Sequence, residues 1–273
     1  AVSSVQLGAE HALGRHALDW RVTRSEVRRY EPDRSEFVVA QTVEGEPFRW
    51  FAASNEGAVR SFSDLVENSM EGSLDYRLSF GSHSLKVGAL ARRTERDALS
   101  SSFSISALQL PGDGLTLEPE QIFDGRFTAP GHSYMRVTPL SQGGSYTAQD
   151  RLLAGYAMAD VAIGSRVRVI GGARIEQSEL DLLAQSTIAT QTYPANPRYT
   201  DLLPSLALNL SLSEQQNLRL SASQTLARPE YRELPNVMYP HVIPAHNLIH
   251  NPDLKRALIR NYDVRWEWYP AAG

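Results

Sequence analysis

The chain predicts an all-β fold: a partial antiparallel transmembrane β-barrel of about nine long strands, with short periplasmic turns and long extracellular loops. Three observations predict it. Apolar and polar residues alternate in segments along the whole length. Short and long connections follow one another in turn, as they do in outer-membrane barrels. No apolar run approaches the roughly 20 residues of a membrane-spanning helix, which excludes a helical membrane protein. The hydrophobic fraction of 42% and mean hydropathy of −0.33 resemble those of a water-soluble protein. A barrel strand averages to the same value, because its lipid-facing and lumen-facing residues alternate.

The first pair of strands runs from Val5 to Ala12 and from Ala17 to Thr23, with Leu18, Trp20 and Val22 on one face and Asp19, Arg21 and Thr23 on the other. In the second pair, Met70, Gly72, Leu74, Tyr76, Leu78 and Phe80 alternate with Glu71, Ser73, Asp75, Arg77 and Ser79. Past Gly81, Leu85, Val87, Ala89 and Ala91 oppose Lys86 and Arg92, with Leu90 an apolar exception on the polar face. The third pair covers Leu152 to Ile163 and Val167 to Glu176; Asp160 assigns Tyr156 and Met158 to the inner side. The fourth sets Leu202, Leu206, Leu208 and Leu210 against Ser205 and Asn209, then Leu218 and Leu220 against Arg219 and Ser221, with Pro204 expected early in its strand. A last strand, Tyr262 to Trp268, places Tyr262, Val264, Trp266 and Trp268 opposite Asp263, Arg265 and Glu267.

Short links follow Leu13, Phe80, Ile163 and Leu212. Long links are expected over Arg24 to Asn68, Arg93 to Asp150, Gln177 to Thr200 and Thr225 to Ala257. A soluble sandwich has no reason to gather every long loop at one end. Trp20, Phe80 and Trp268 fall on the apolar face near short turns, where a periplasmic-side aromatic girdle would lie.

A net charge of −4 with Lys and Arg dispersed along the chain argues against a nucleic-acid partner. Without cysteine there is no disulfide framework and no thiolate chemistry. The chain opens on Ala1 without the charged and apolar regions of a signal peptide, which reads as an internal start.

From Leu203 to Tyr269 the sequence closely resembles the TonB-dependent receptor family. The residues that carry the resemblance are Leu203-Pro204-Ser205-Leu206, Leu218-Arg219-Leu220-Ser221-Ala222-Ser223-Gln224-Thr225-Leu226-Ala227-Arg228-Pro229, Asn251-Pro252-Asp253-Leu254 and Asn261-Tyr262-Asp263-Val264-Arg265-Trp266-Glu267-Trp268-Tyr269. The order and spacing of these runs are specific to that family's barrel, and the strand pattern extends the likeness over residues 1–273. The resemblance implies a barrel of about 22 strands in the outer membrane of a Gram-negative bacterium, closed by a plug and energised through TonB. A plug domain and the C-terminal strands are not recognised within these residues, so an internal part of the barrel is expected. The implied partners are a small-molecule or metal-chelate ligand, TonB acting through the plug, and outer-membrane lipid.

No nucleophile elbow, phosphate loop, zincin helix or calcium loop occurs, so the sequence predicts no enzyme, no catalytic residue and no cofactor. His241, His246 and His250 lie in one long loop between Arg228-Pro229 and Asn251-Pro252, and imidazoles so grouped either ligate haem or metal or remain solvated. Arg228 is either a contact for an anionic ligand or a fastener of the turn into that loop. Trp50, Phe51 and Tyr134 either stack on a ligand or anchor their loops, and Asp113, Glu118, Glu120 and Asp124 are solvated acids or a cation attractor. Parity assigns Asp75, Arg77, Arg174, Glu176, Arg219 and Arg265 to the lumen, facing a plug or water. A soluble all-β carbohydrate-binding module is the alternative. It accounts for the alternation but not for the one-sided loops. A secreted β-rich hydrolase has no motif to support it.

Overall fold

The computed structural model describes residues 1–52, 57–140, 145–185, 192–234, 238–239, 248–249, 251 and 253–270. Nine long strands form a single antiparallel meander in which each pairs with the strands before and after it in the chain. They are β1 (Val2–Leu13), β2 (His16–Phe37), β3 (Ala58–Phe80), β4 (His83–Ala107), β5 (Ser145–Ile163), β6 (Val167–Gln185), β7 (Arg198–Ser213), β8 (Gln216–Ala227) and β9 (Ala257–Trp268). Short strands Met135–Leu140, along β4, and Thr192–Ala195, along β6, bring the sheet to eleven. All nine strands expected from alternation are present, in the expected order.

Local chemistry sets the short turns. Leu13 pairs with His16 and Phe80 with His83, so each loop has two residues. Gly14 and Gly81 take φ of 59° and 61° at the first loop position. That positive φ matches the twist of the flanking strands, and glycine adopts it without a steric penalty. The β7–β8 turn has no glycine. It closes instead through a register shift between Ser211 and Ser213, with the Gln215 N–H donating to Ser213 Oγ at 3.2 Å.

The ladders are staggered as a barrel requires. Following register from His16, the first residue of β2, leads through Leu78, Leu85, Ala159, Gly171, Leu206 and Ala222 to Tyr262. Tyr262 lies well inside β9, which continues to Trp268. A progressive offset of this kind tilts strands against the axis and lets a sheet curl.

Three expectations change. The link read as a loop over Arg24 to Asn68 is largely strand, and the link over Arg93 to Asp150 is strand at both ends, because β2, β3 and β4 run for 22, 23 and 25 residues. At roughly 3.3 Å per residue they extend far beyond the nine to eleven residues a tilted strand needs to cross a bilayer. Their distal halves escaped detection because polar and apolar residues do not alternate there: Arg28 and Arg29 put charge on both faces of β2, and Leu65 and Val66 put apolar side chains on both faces of β3. Likewise β6 continues past Glu176 to Gln185. Pro204 sits inside β7 and not near its start, at the point where the β7–β8 ladder ends; beyond it the Gln224 side-chain amide donates to Leu202 O at 2.9 Å in place of a backbone donor. Trp20 lies four residues from His16, further from its turn than Phe80 or Trp268, which pair with His83 and Gln216 at the strand ends.

Two small cores form at the long-loop end. On the inner face, Ala98, Tyr146, Ala148, Leu180, Leu182 and Ala184 pack with Ala195 and Leu234. Leu182 and Leu234 are each 1% exposed. On the outer face, residues of the 38–57 and 108–134 connections pack on β2–β4, with Trp50 3% exposed, stacked on Phe37 and edge-on to Phe123.

Candidate functional site

Register tests the parity assignment directly. Asp75 pairs with Gly88 and Gly88 with Tyr156; Tyr156 pairs with Arg174 and Arg174 with Leu203; Asn209 pairs with Arg219 and Arg219 with Arg265. Asp75, Arg77, Arg174, Glu176, Arg219 and Arg265 therefore share one face of the sheet. Tyr156, Met158 and Asp160 lie on that face too. In the short-turn half of the sheet most apolar residues lie on the opposite face and are open, with Leu153 and Trp266 both 59% exposed.

Near the short-turn end the polar face is organised into local ion pairs. Tyr156 reaches across Gly88 and donates its hydroxyl to Asp75, while Lys86 Nζ lies 3.5 Å from Asp75 Oδ1 and over the Tyr156 ring. A Cβ on Gly88 would overlap both the ring and the carboxylate, so glycine is what permits this crossing. Arg77 pairs across with Lys86 and has no acidic partner among the described residues. Arg219 and Arg265, directly opposite one another, share Glu267 at 3.2 Å and 2.9 Å.

The main constellation lies higher, beneath the inner core. Glu176 on β6 accepts from Arg174 Nε at 2.7 Å and from Arg228 Nη2 at 2.6 Å. Two residues predicted as lumen-lining and one predicted as a loop contact are thus united on a single carboxylate. Arg228 follows β8, and its pairing folds the chain back over the polar face. The turn Tyr231–Glu233 then docks there: Tyr231 donates to Asp150 Oδ2 at 2.8 Å, and Arg96 stacks on its ring at 4.6 Å. Arg96 also donates to Glu67 at 2.7 Å and to the Tyr146 hydroxyl at 3.3 Å. Beside this group Arg256 pairs with Asp201, which is 3% exposed, and stacks on Tyr199. Among the described residues Arg228 Nε, Asp201 Oδ2 and Nε of Arg92, which is ion-paired with Asp150, are buried without a hydrogen-bond partner.

Sequence reading did not find Glu67, Arg96, Asp150, Asp201, Tyr231 or Arg256. Their opposite charges lie on different strands, and most fall in segments expected to be loops. Arg228 fastens the turn, but through a carboxylate and not through backbone carbonyls. Trp50 anchors its loop, donating Nε1 to Gly57 O at 3.0 Å. Tyr134 stacks on His132 with ring centroids 5.7 Å apart, whereas Phe51 is exposed. Asp124 pairs with Arg126 at 2.7 Å, which holds its carboxyl below the usual range. His241, His246 and His250 lie outside the described residues, as does Pro252. Among the described residues no three His, Asp or Glu side chains converge as a metal site.

Burial, and then the neighbouring Asp150 carboxylate, push the Tyr231 hydroxyl above its ordinary range. A raised tyrosine pKa favours folding while the group is protonated, so its contribution is complete below about pH 10 and is lost as pH rises through the folded value. Stability measured in detergent is expected to fall above about pH 10, and Tyr231→Phe is expected to flatten that decline. An unchanged slope would place the alkaline loss elsewhere.

A staggered antiparallel wall, apolar and open on one face and ion-paired on the other, defines a β-barrel of the membrane-spanning class. The family model described as TonB dependent receptor-like, beta-barrel matches residues 3–273. The chain belongs to that family. No curated protein matches it. Among solved structures it is similar to the ferric yersiniabactin uptake receptor FyuA from Yersinia pestis, with TM-score 0.59 and 8% identity over 99% of this chain and 33% of that one. The copper transporter OprC gives 0.62 and 14% over 98% and 36%. The ferric-catecholate import receptor Fiu from E. coli K12 gives 0.56 and 12% over 98% and 38%. These likenesses concern the fold, and the chain spans about a third of each receptor's length.

Proposed function

We propose that this chain is part of the wall of a Gram-negative outer-membrane receptor that takes up a scarce solute by TonB-coupled transport. The solute class comprises siderophore-iron and other metal chelates, haem, cobalamin and oligosaccharides. One observation carries the reading: in the short-turn half of the sheet one face is mainly apolar and exposed while the other is mainly polar and carries the ion pairs of Asp75, Asp160 and Glu267. That arrangement suits lipid outside and a wet lumen inside. Short turns then face the periplasm and the long strand extensions face the medium. A soluble module would have to leave Leu153, Trp266 and the rest of the apolar face in water.

In this reading Asp75, Arg77, Arg174, Glu176, Arg219 and Arg265 line the lumen toward a plug. Arg228 holds the turn from which the histidine-bearing loop departs, and His241, His246 and His250 are offered to ligand from that loop. The family's receptors and their relatives give no support for a catalytic role, and transport without catalysis is proposed. The full-length protein, expressed with its own signal, is expected to be extracted only by detergent and to shift its gel mobility on boiling. A protein that is soluble and shows no shift would overturn the receptor reading and favour a soluble binding module.

A further inference from the structure

Phe37, Ala58 and Ile105 lie at the outer ends of β2, β3 and β4, on the face that carries the apolar belt lower down. Arg24, Glu26, Arg93 and Glu95 stand on the same face between the two regions. Trp50, Ala52 and Ile122, from the two connections folded against the outside of the wall, cover these strand ends. The cover is itself unfinished. Val39, the ladder partner of Trp50, is half-exposed. So are Phe48 and Phe51, which flank Trp50 in sequence, and Phe123, whose ring stands edge-on to the indole at 5.8 Å. Beside them a pocket of about 300 Å³ opens between the strand ends and the short helix Pro119–Ile122, lined by Phe37, Ala58, Ile105 and Phe123. Large apolar side chains gathered in this way on an exposed surface mark a place where another molecule is met.

Charge narrows what that molecule is. The described residues of the two connections hold six carboxylates, on Glu44, Glu46, Asp113, Glu118, Glu120 and Asp124, against two guanidiniums, on Arg49 and Arg126. That excess equals the net charge of −4 of the whole chain, so the remainder of the chain is balanced. Among the described residues Asp124 and Arg126 pair with each other, while the other five acids and Arg49 have no partner of opposite charge. Inside the pocket Arg60 is forked onto Asp33 and Glu36 is held by Arg34, which leaves Glu120 as its uncompensated charge. The apolar patch is therefore set in a negative field.

We propose that this patch docks a cationic, aromatic-bearing segment of a second polypeptide, which approaches from the medium along the outside of the wall and not through the lumen. Aromatic side chains of the partner cover Phe48, Phe51 and Phe123 and enter the pocket, and its lysines or arginines meet Glu118, Glu120, Glu44 and Glu46. The same carboxylates repel lipid phosphate, nucleic acid and anionic solutes. The proposal rests on the outer-membrane reading above, which places this end of the strands in the medium.

The test uses the full-length receptor in lipid nanodiscs and the anisotropy of a short labelled peptide that alternates lysine with tyrosine, against the same peptide with glutamate in place of lysine. Wild type is expected to bind the lysine peptide roughly tenfold more tightly, with an affinity that falls as salt is added. The double variant Phe48→Ser, Phe123→Ser is expected to lower that affinity roughly tenfold. Glu118→Gln with Glu120→Gln, which leaves the apolar patch intact, is expected to lower it roughly threefold and to flatten the salt dependence. Equal affinity for the two peptides would overturn the proposal. Indifference to the phenylalanine substitutions would overturn it too, because the attraction would then be of charge alone. Absence of binding would show that the rest of the receptor chain covers the patch, and would also refute it. Heat-modifiable mobility, read on the same samples, separates the two levels. A protein without the shift refutes the membrane reading, whereas a shift retained without peptide binding refutes only this site.

Discussion

Val87→Arg in the full-length protein is expected to lower barrel stability by about 2–4 kcal/mol, the cost of a cationic side chain on the lipid face near the bilayer midplane. Val87 sits in the outer strip of β4 between Leu85 and Ala89, with the charged row beginning only at Arg93. The adjacent face offers an internal control. Leu90 belongs to the inner face, paired with Ser73 and Ala154, and Leu90→Arg is expected to cost about 1 kcal/mol or less because a wet lumen solvates the charge. Urea unfolding in lipid vesicles measures both. The contrast matters more than either value. If this were a soluble sheet with Val87 facing water, Val87→Arg would be tolerated, and equal effects at the two positions would refute the assignment of faces.

Glu176→Ala is expected to release the turn that follows β8. Removing one partner of a buried pair costs about 3–5 kcal/mol, and here a single carboxylate serves two arginines. Arg174 and Arg228 are 30% and 26% exposed, so water recovers part of the loss and about 2–3 kcal/mol remains. The signature is local. Hydrogen exchange is expected to accelerate across residues 228–234, where Tyr231 and Leu234 dock, while β7–β9 stay protected. Glu176→Gln, which keeps one acceptor, is expected to fall between the two. Unaltered exchange in that turn would show that the Leu234 core alone holds it.

How much of this was legible in the sequence depends on what solvent each residue meets. Where one face meets lipid and the other water, residues of opposite character must alternate, and Met70 to Phe80 announces its strand and both its faces. Higher on the same strands water bathes both sides, the contrast disappears, and Arg24 to Phe37 reads as a loop although it is strand. That Asp75, Arg174 and Arg265 share one face of the sheet needed only parity. The bond between Arg228 and Glu176 joins residues 52 positions apart, one just past the end of β8 and the other on β6, which is not its neighbour in the sheet, and no local pattern encodes it. Arg96 and Glu67 were missed for both reasons at once.

The strictly sequential order of the nine strands bears on how such a wall is built. Each strand finds its template in the segment synthesised just before it, so the sheet can be extended one hairpin at a time without waiting for distant chain. Four of the steps close across loops of only a few residues and are entropically cheap. The others must first close excursions of ten residues or more, at a cost that grows only with the logarithm of their length. Assembly should thus proceed in paired pulses, hairpin by hairpin, and the long outer connections can diverge in length and sequence with little effect on the order in which the wall forms.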